Sequence, residues 1–214
     1  MEFYSLEKPL LHEFPDQKTK KHPFKPSIFM AACMVAIIAI GTYLFNYQLV
    51  TQGEQTVVKA TSQATASGLF KKMRIDLQQT PYLNWRWRVD NPLQALDEQT
   101  KPGDDYGARV YVVVDGGLFF WKTKAINYVW ASSSPKGKSW PNAFAGKSAM
   151  MLALRSSTDT PATWYQEKRN VAADLKEFFG TEIRYIDAVA IMTDTDNSGQ
   201  ETIAYYGDIF FTSD

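Results

Sequence analysis

The chain of 214 residues has one cysteine and two histidines, and none of them lies in its main body. His12 and His22 sit near the N-terminus and Cys33 follows soon after, so everything beyond Phe45 lacks both imidazole and thiol. That excludes Ser-His-Asp and Cys-His nucleophilic chemistry within the chain. It also excludes zinc, iron and copper sites built on nitrogen or sulfur ligands. With no disulfide available, the hydrophobic core has to hold the domain by itself. Any chemistry falls to carboxylates, tyrosines, lysines, arginines and hydroxyls, or to a hard, oxygen-bound cation.

An excess of positive charge is also missing. Lysine plus arginine and aspartate plus glutamate each number 23, and beyond Phe45 the counts are 18 and 19. A protein that neutralises phosphates carries a basic stripe, and none is visible, so nucleic acid is not an expected partner. No internal repeat and no low-complexity segment occurs. With 45% hydrophobic and 14% aromatic residues, no stretch reads as disordered and the composition suffices for a packed core.

What is present begins with an apolar run from Ile28 to Phe45, inside a charge-free stretch from Pro26 to Gly53. That is long enough to cross a bilayer, which takes about 20 apolar residues. Lys18, Lys20, Lys21 and Lys25 precede it, and the next basic residue is Lys59. The asymmetry predicts a cytoplasmic N-terminus and a domain outside. The expected organisation is a tail over 1–26, a transmembrane segment or signal peptide over 27–46, and an exported domain over 47–214. Retention in the inner membrane, with the domain periplasmic, is one outcome. Cleavage after the small residues Ala39 and Gly41, with release to the periplasm, is the other. Met30-Ala31-Ala32-Cys33 is a poor lipobox, because its hydrophobic stretch follows the cysteine.

Beyond Tyr47, short alternating or apolar runs recur between turn signals, the pattern of an all-β protein. Trp85, Trp87 and Val89 alternate with Arg86 and Arg88, which predicts one aromatic and one basic face. Arg109–Asp115 is β-branched on both faces and reads as a central strand. Strands are also predicted over 56–60, 69–77, 125–131, 150–155, 164–171, 187–193 and 203–212. Asp174-Leu-Lys-Glu177 reads as a capping box for one helical turn closed by Gly180. The expected fold class is all-β, a two-sheet jelly-roll sandwich behind one N-terminal transmembrane or signal helix.

Seven segments in order carry a resemblance: SGLFKKMRIDL, PYLNWRWRVD, KPGDDYGARVYVVV, INYVWA, WYQEKRNVAADLKEFFG, VAIMTDTDNSG and YYGDIFF. They resemble the family called domain of unknown function 3047, over about Tyr47 to the C-terminus. The end of the chain is also similar to galactose-binding-like jelly rolls. The resemblance implies a mostly bacterial, exported protein without an assigned activity. It also implies an opening strand before Tyr47, where this chain has its apolar run. A domain lacking that strand would leave a sheet edge open to a protein partner, unless the end of the apolar run supplies it.

Three groups of residues are candidates for function. Asp194-Thr-Asp196-Asn-Ser198-Gly199 alternates carboxylates ahead of a glycine, as calcium loops do, but has Tyr205 where a bidentate glutamate would stand. The same pattern suits a turn whose side chains bond local amides. Lys101, Asp104, Asp105 and Arg109, with Arg88, Glu167, Arg169 and Asn170, are either a polar ligand site or ion pairs across a sheet. Trp140, in a loop-like context, offers a flat ring for a sugar, whereas Trp85, Trp87, Trp130 and Trp164 have the spacing of core residues. The leading functional reading is a non-catalytic, ligand-binding sandwich whose ligand is a glycan or small polar molecule, with no cofactor other than calcium. The alternatives are a polysaccharide-acting enzyme with paired carboxylates and a structural accessory of an envelope complex.

Overall fold

A computed structural model describes residues 4–6, 45–117 and 122–214. Among the described residues, twelve strands form two sheets, joined by a 3-10 turn at Lys101–Gly103 and one α-helix. The strands are β1 (Tyr4–Leu6), β2 (Phe45–Gln52), β3 (Gln55–Gln63), β4 (Ala66–Asp76), β5 (Tyr82–Val89) and β6 (Ala108–Val114). After them come β7 (Lys124–Trp130), β8 (Ser139–Asn142), β9 (Gly146–Arg155), β10 (Tyr165–Asn170), β11 (Tyr185–Asp194) and β12 (Glu201–Thr212). The larger sheet runs β1-β4-β11-β6-β7-β9-β8 and the smaller runs β10-β5-β12-β3-β2. Each pairing is antiparallel except β7 with β9.

The alternation read in the sequence decides which way the strands face. In β5 the residues Leu83, Trp85, Trp87 and Val89 are buried while Tyr82, Asn84, Arg86 and Arg88 are half-buried on the opposite side. The inward set packs against Val110, Val112, Ile126, Tyr128 and Trp130 of the larger sheet. Aromatic rings bridge the layers, with Trp85 and Tyr128 centroids 5.3 Å apart and Trp87 and Trp130 at 5.9 Å. Tyr206 spans the sandwich: its hydroxyl donates to the Met192 carbonyl at 2.7 Å and accepts from the Arg109 amide at 3.3 Å.

A second apolar cluster lies on the outer side of the larger sheet. Val129, Met151, Ala153 and Ala131 are covered there by Tyr106 and by Trp140 of β8. β8 was not foreseen: it is four residues long, contains Pro141 and has little alternation.

The helix also differs from the sequence reading. Helix α1 runs Val171–Phe179, starting earlier than the motif at Asp174, and is capped by Asn170, whose side chain accepts from the Ala173 amide at 3.0 Å. Gly180 closes it in the left-handed conformation, at φ 67°. Asp174 faces inward instead of capping, because it is the partner of buried Tyr128 and of Arg169.

The apolar run before Phe45 lies outside the described residues, and among the described residues no helix is long and apolar enough to cross a membrane. The strand β2 is the Tyr47–Val50 segment with Phe45 at its start and is the outermost described strand of the smaller sheet, and the place of an opening strand ahead of it lies outside the described residues. On the larger sheet, Tyr4–Leu6 pairs with Gly68–Phe70 and covers that part of the β4 edge.

Candidate functional site

Two sequence motifs far apart in the chain meet at one end of the sandwich. The turn Lys101–Gly103 brings Asp104 and Asp105 up to the start of β6, and the close approach needs glycine there. A Cβ on Gly103 would lie 2.2 Å from the Asp97 carbonyl oxygen. Arg109 on β6 lies beside β11, whose last residue is Asp194. The Arg109 guanidinium clasps the Asp194 carboxylate through Nε, at 3.1 Å from Oδ1, and through Nη2. The Tyr106 amide adds a donor to Asp194 Oδ1 at 3.2 Å. Asp105 accepts from the Asn197 amide at 3.1 Å, the Asn197 side chain at 2.9 Å and the Ser198 amide at 2.6 Å. Asp104 accepts from the Tyr106 hydroxyl at 3.1 Å and from Asn142 at 2.9 Å.

These bonds tie the 101–106 segment, the 194–199 turn and the end of β8 together. Asp104, Asp105, Arg109 and Asp194 are all buried, so the cluster is a lock inside the protein and not an open cleft. Burial raises the affinity of Tyr106 for its proton, and the negative charge of Asp104 adds to that, so the hydroxyl stays a donor.

Asp105, Asp194 and exposed Asp196 have carboxylate oxygens within 4.8 Å of one another, close enough to hold an ion. The donor set fits calcium poorly. Arg109 already compensates Asp194, and the Asn197 and Ser198 amides already satisfy Asp105. Ser198 contributes its amide to that carboxylate, while its hydroxyl accepts from the Gln200 amide at 3.3 Å. A divalent cation would share the space with a guanidinium.

The other candidates do not join this cluster. Glu167 and Arg169 point inward from β10, as their alternation demands. Glu167 bonds Arg155 at 2.6 Å and the Trp87 indole at 3.2 Å. Arg169 bonds Asp174, which also accepts from the Tyr128 hydroxyl at 2.7 Å. These are partners for charges placed over an aromatic core. Asn170 is the helix cap, and Lys101 is exposed, with its ammonium 5.3 Å from the Phe144 ring. The list read from the sequence therefore does not form one site.

Trp140 requires a correction. It is 2% exposed and stacked on Tyr106, with centroids 6.4 Å apart, so its ring offers no free face to a sugar. Trp164 shows the opposite: it leaves the core and stands half-buried just before β10. The reason lies in tertiary contacts: β8 and the Tyr106 segment cover one tryptophan, whereas the other meets only side chains of the outer face, Arg86 and Tyr205, and stays half-buried.

Trp164 belongs to a surface that sequence reasoning found only in part, through the basic face of β5. On the outer side of the smaller sheet, the Arg86 guanidinium lies 4.5 Å from the Trp164 ring centroid. That of Arg88 lies 4.9 Å from Tyr205, and the Lys168 ammonium 4.8 Å from Tyr82. The Trp164 and Tyr205 centroids are 6.3 Å apart. Phe210, on the same face of β12, is 51% exposed. Arg88 is fixed by Asp90 at 2.5 Å. Arg86 Nε is 2.5 Å from Asp208 but without hydrogen-bond alignment, so that contact is ionic. Gly207 allows Arg86 to lie flat, since a Cβ there would meet Arg86 Nε at 3.0 Å and Val57 Cγ1 at 3.1 Å.

The fold is thus that of a two-sheet β-sandwich with a charged lock at one end and an aromatic, cationic face on its smaller sheet. Residues 42–210 match the family model described as "Protein of unknown function (DUF3047)", and the chain belongs to that family. No curated protein matches it. Among solved structures, it is similar to the family 30 carbohydrate-binding module of the Clostridium thermocellum cellulosomal cellulase Cel9D-Cel44B. That match has 10% identity and a TM-score of 0.43, over 79% of this chain and 82% of the other. A Cel12A cellulase derived from Rhodothermus marinus matches at 10% identity and TM-score 0.44, over 78% and 95%. The non-crystalline-cellulose-specific module CBM28 matches at 10% identity and TM-score 0.39, over 78% and 82%. Identities near 10% and TM-scores below 0.5 give these likenesses no weight for the chemistry of this chain.

Proposed function

We propose that the protein is a non-catalytic, glycan-binding β-sandwich and that the outer face of its smaller sheet is the binding surface. The observation that carries this is the grouping of half-buried Trp164 and Tyr82 and exposed Phe210 on one face, around the buried ring of Tyr205 and interleaved with Arg86, Arg88 and Lys168. Sugars present apolar C–H faces that stack on flat rings and hydroxyls that need charged or amide partners beside them. Two hollows among the described residues suit an enzyme less well. One, of about 570 Å³, has Glu182 as its sole acidic lining residue, and the other, of about 540 Å³, has Asp159. Glycoside hydrolysis takes a facing pair of carboxylates, and the buried acids of this chain are engaged by Arg109, Arg155, Arg169 and loop amides.

The apolar run ahead of Phe45 supports placement in the cell envelope, either held at the inner membrane or released after cleavage. That placement and the β1–β4 pairing exclude each other, because a crossing between Leu6 and Phe45 separates the two strands by the bilayer. The outer side of β2, unpaired among the described residues, is where a partner strand would add in the accessory reading.

The test is binding of the full-length protein to a panel of soluble polysaccharides in affinity gels, beside a Trp164→Ala variant. Retardation by at least one glycan, lost in the variant while its melting temperature holds, supports the proposal. No retardation by any glycan, or retardation that survives the substitution, refutes it.

A further inference from the structure

We infer that the glycan taken on this face is an anionic polysaccharide, a chain whose sugars carry carboxylate groups. The inference rests on the glycan reading above and adds the ligand's charge. It starts from the charges of the outer face. Four cations, Lys59, Arg86, Arg88 and Lys168, lie there on neighbouring strands. Asp90 and Asp208 are the acids beside the rings, and each is held by an arginine, Arg88 and Arg86. Glu201 stands at the end of β12, against Gln63.

That leaves two lysines without a carboxylate partner among the described residues. Lys59 lies opposite Tyr205 in the β3–β12 ladder, so this ring has Arg88 on one flank and Lys59 on the other. Lys168 lies over Tyr82. A site for neutral sugars needs free acceptors beside its rings, because vicinal hydroxyls donate as readily as they accept. Here the two acids beside the rings are already occupied, so the unpaired charged groups are both cations, with the neutral amide of Gln166 beside Arg86. Tyr205 itself is 8% exposed beneath Arg88, so a glycan lying across this face meets the ammonium groups of Lys59 and Lys168 beside the rings, and a carboxylate is the substituent that both lysines favour. The chain as a whole is neutral, so the excess belongs to this face and not to the protein at large.

Polygalacturonate and its methyl-esterified form separate charge from sugar shape, because the esterified chain has the same backbone without the carboxylates. Alginate and hyaluronate extend the acidic arm, and hydroxyethylcellulose the neutral one. The full-length protein is expected to bind one or more acidic polymers at least tenfold more tightly than its neutral counterparts. Each of Lys59→Gln and Lys168→Gln should weaken that binding roughly two- to fivefold, the range of exposed ion pairs. Raising the salt should weaken it further. Equal binding of the acid and ester forms, or lysine variants that bind as the parent does, overturns the inference. If Trp164→Ala still abolishes that binding, the glycan site itself stands. Failure to bind any acidic or neutral polymer overturns both proposals together.

Discussion

Replacing Arg109 by methionine removes one partner of the most deeply buried ion pair among the described residues while keeping the length and apolar stem of the side chain. Arg109 is 7% exposed and Asp194 fully buried. In the variant, Asp194 keeps the Tyr106 amide at 3.2 Å and loses the guanidinium donors to both of its oxygens. An uncompensated buried charge of this kind costs about 3–5 kcal/mol. For a domain of this size each kcal/mol moves the midpoint by about 2–4 °C, so the melting temperature should fall by roughly 6–20 °C. The double variant Arg109→Met, Asp194→Leu removes both charges and should recover part of the loss, because apolar replacement of a whole buried pair is often nearly neutral. Urea and thermal unfolding followed by tryptophan fluorescence measure all three proteins. A single variant within about 1 kcal/mol of the parent would refute the view that this pair locks the end of the sandwich. So would a double variant less stable than the single one.

Glu98 is 2% exposed, and burial alone would push its carboxyl up. The Ser133 amide, the Ser134 hydroxyl and both donors of Ser132 outweigh that and hold it below the usual carboxylate range. A lowered folded-state value gives stability that is present above the unfolded value and lost as pH falls through the folded one. Glu98→Gln should therefore destabilise the protein at neutral pH by about 1–3 kcal/mol and flatten the acid limb of its stability profile, read from urea melts across pH. Trp140→Ala should cost about 3–5 kcal/mol and leave any glycan binding intact, the reverse of Trp164→Ala; calorimetric melting beside affinity gels makes the comparison. Titration with calcium should give no measurable heat and leave the melting temperature where a chelator leaves it, because Arg109 already neutralises Asp194. In cells, paired cysteines at Ser5 and Leu69 should not cross-link if the apolar run crosses the membrane. A disulfide between them would place Tyr4–Leu6 and β4 on one side.

Alternation was enough to orient most of the strands. A period of two in Leu83–Val89 fixes which side chains meet the core whatever the neighbouring strands are, and the same rule turns Glu167 and Arg169 inward. The stretches that misled are those where local pattern and tertiary contact disagree. The Asp174 motif looks like a cap, yet Tyr128 and Arg169 draw its carboxylate into the core and leave capping to Asn170. β8 has no alternation to read, and it forms because Ser139–Asn142 can pair with β9 and seat Trp140 against Tyr106.

By itself the sequence determined the all-β class, the family and the restricted chemistry, because those follow from residue types, their order and their period. It also held both halves of the charged lock, Asp104–Arg109 and Asp194–Ser198. Only the tertiary structure decided that the two halves meet. Sequence separation says nothing about which strands become neighbours, and β6 and β11 lie side by side only because the sheet orders them so. The same holds for the surface: whether a tryptophan is covered depends on what packs above it. That contact buries Trp140 and leaves Trp164 on the face proposed to bind a glycan.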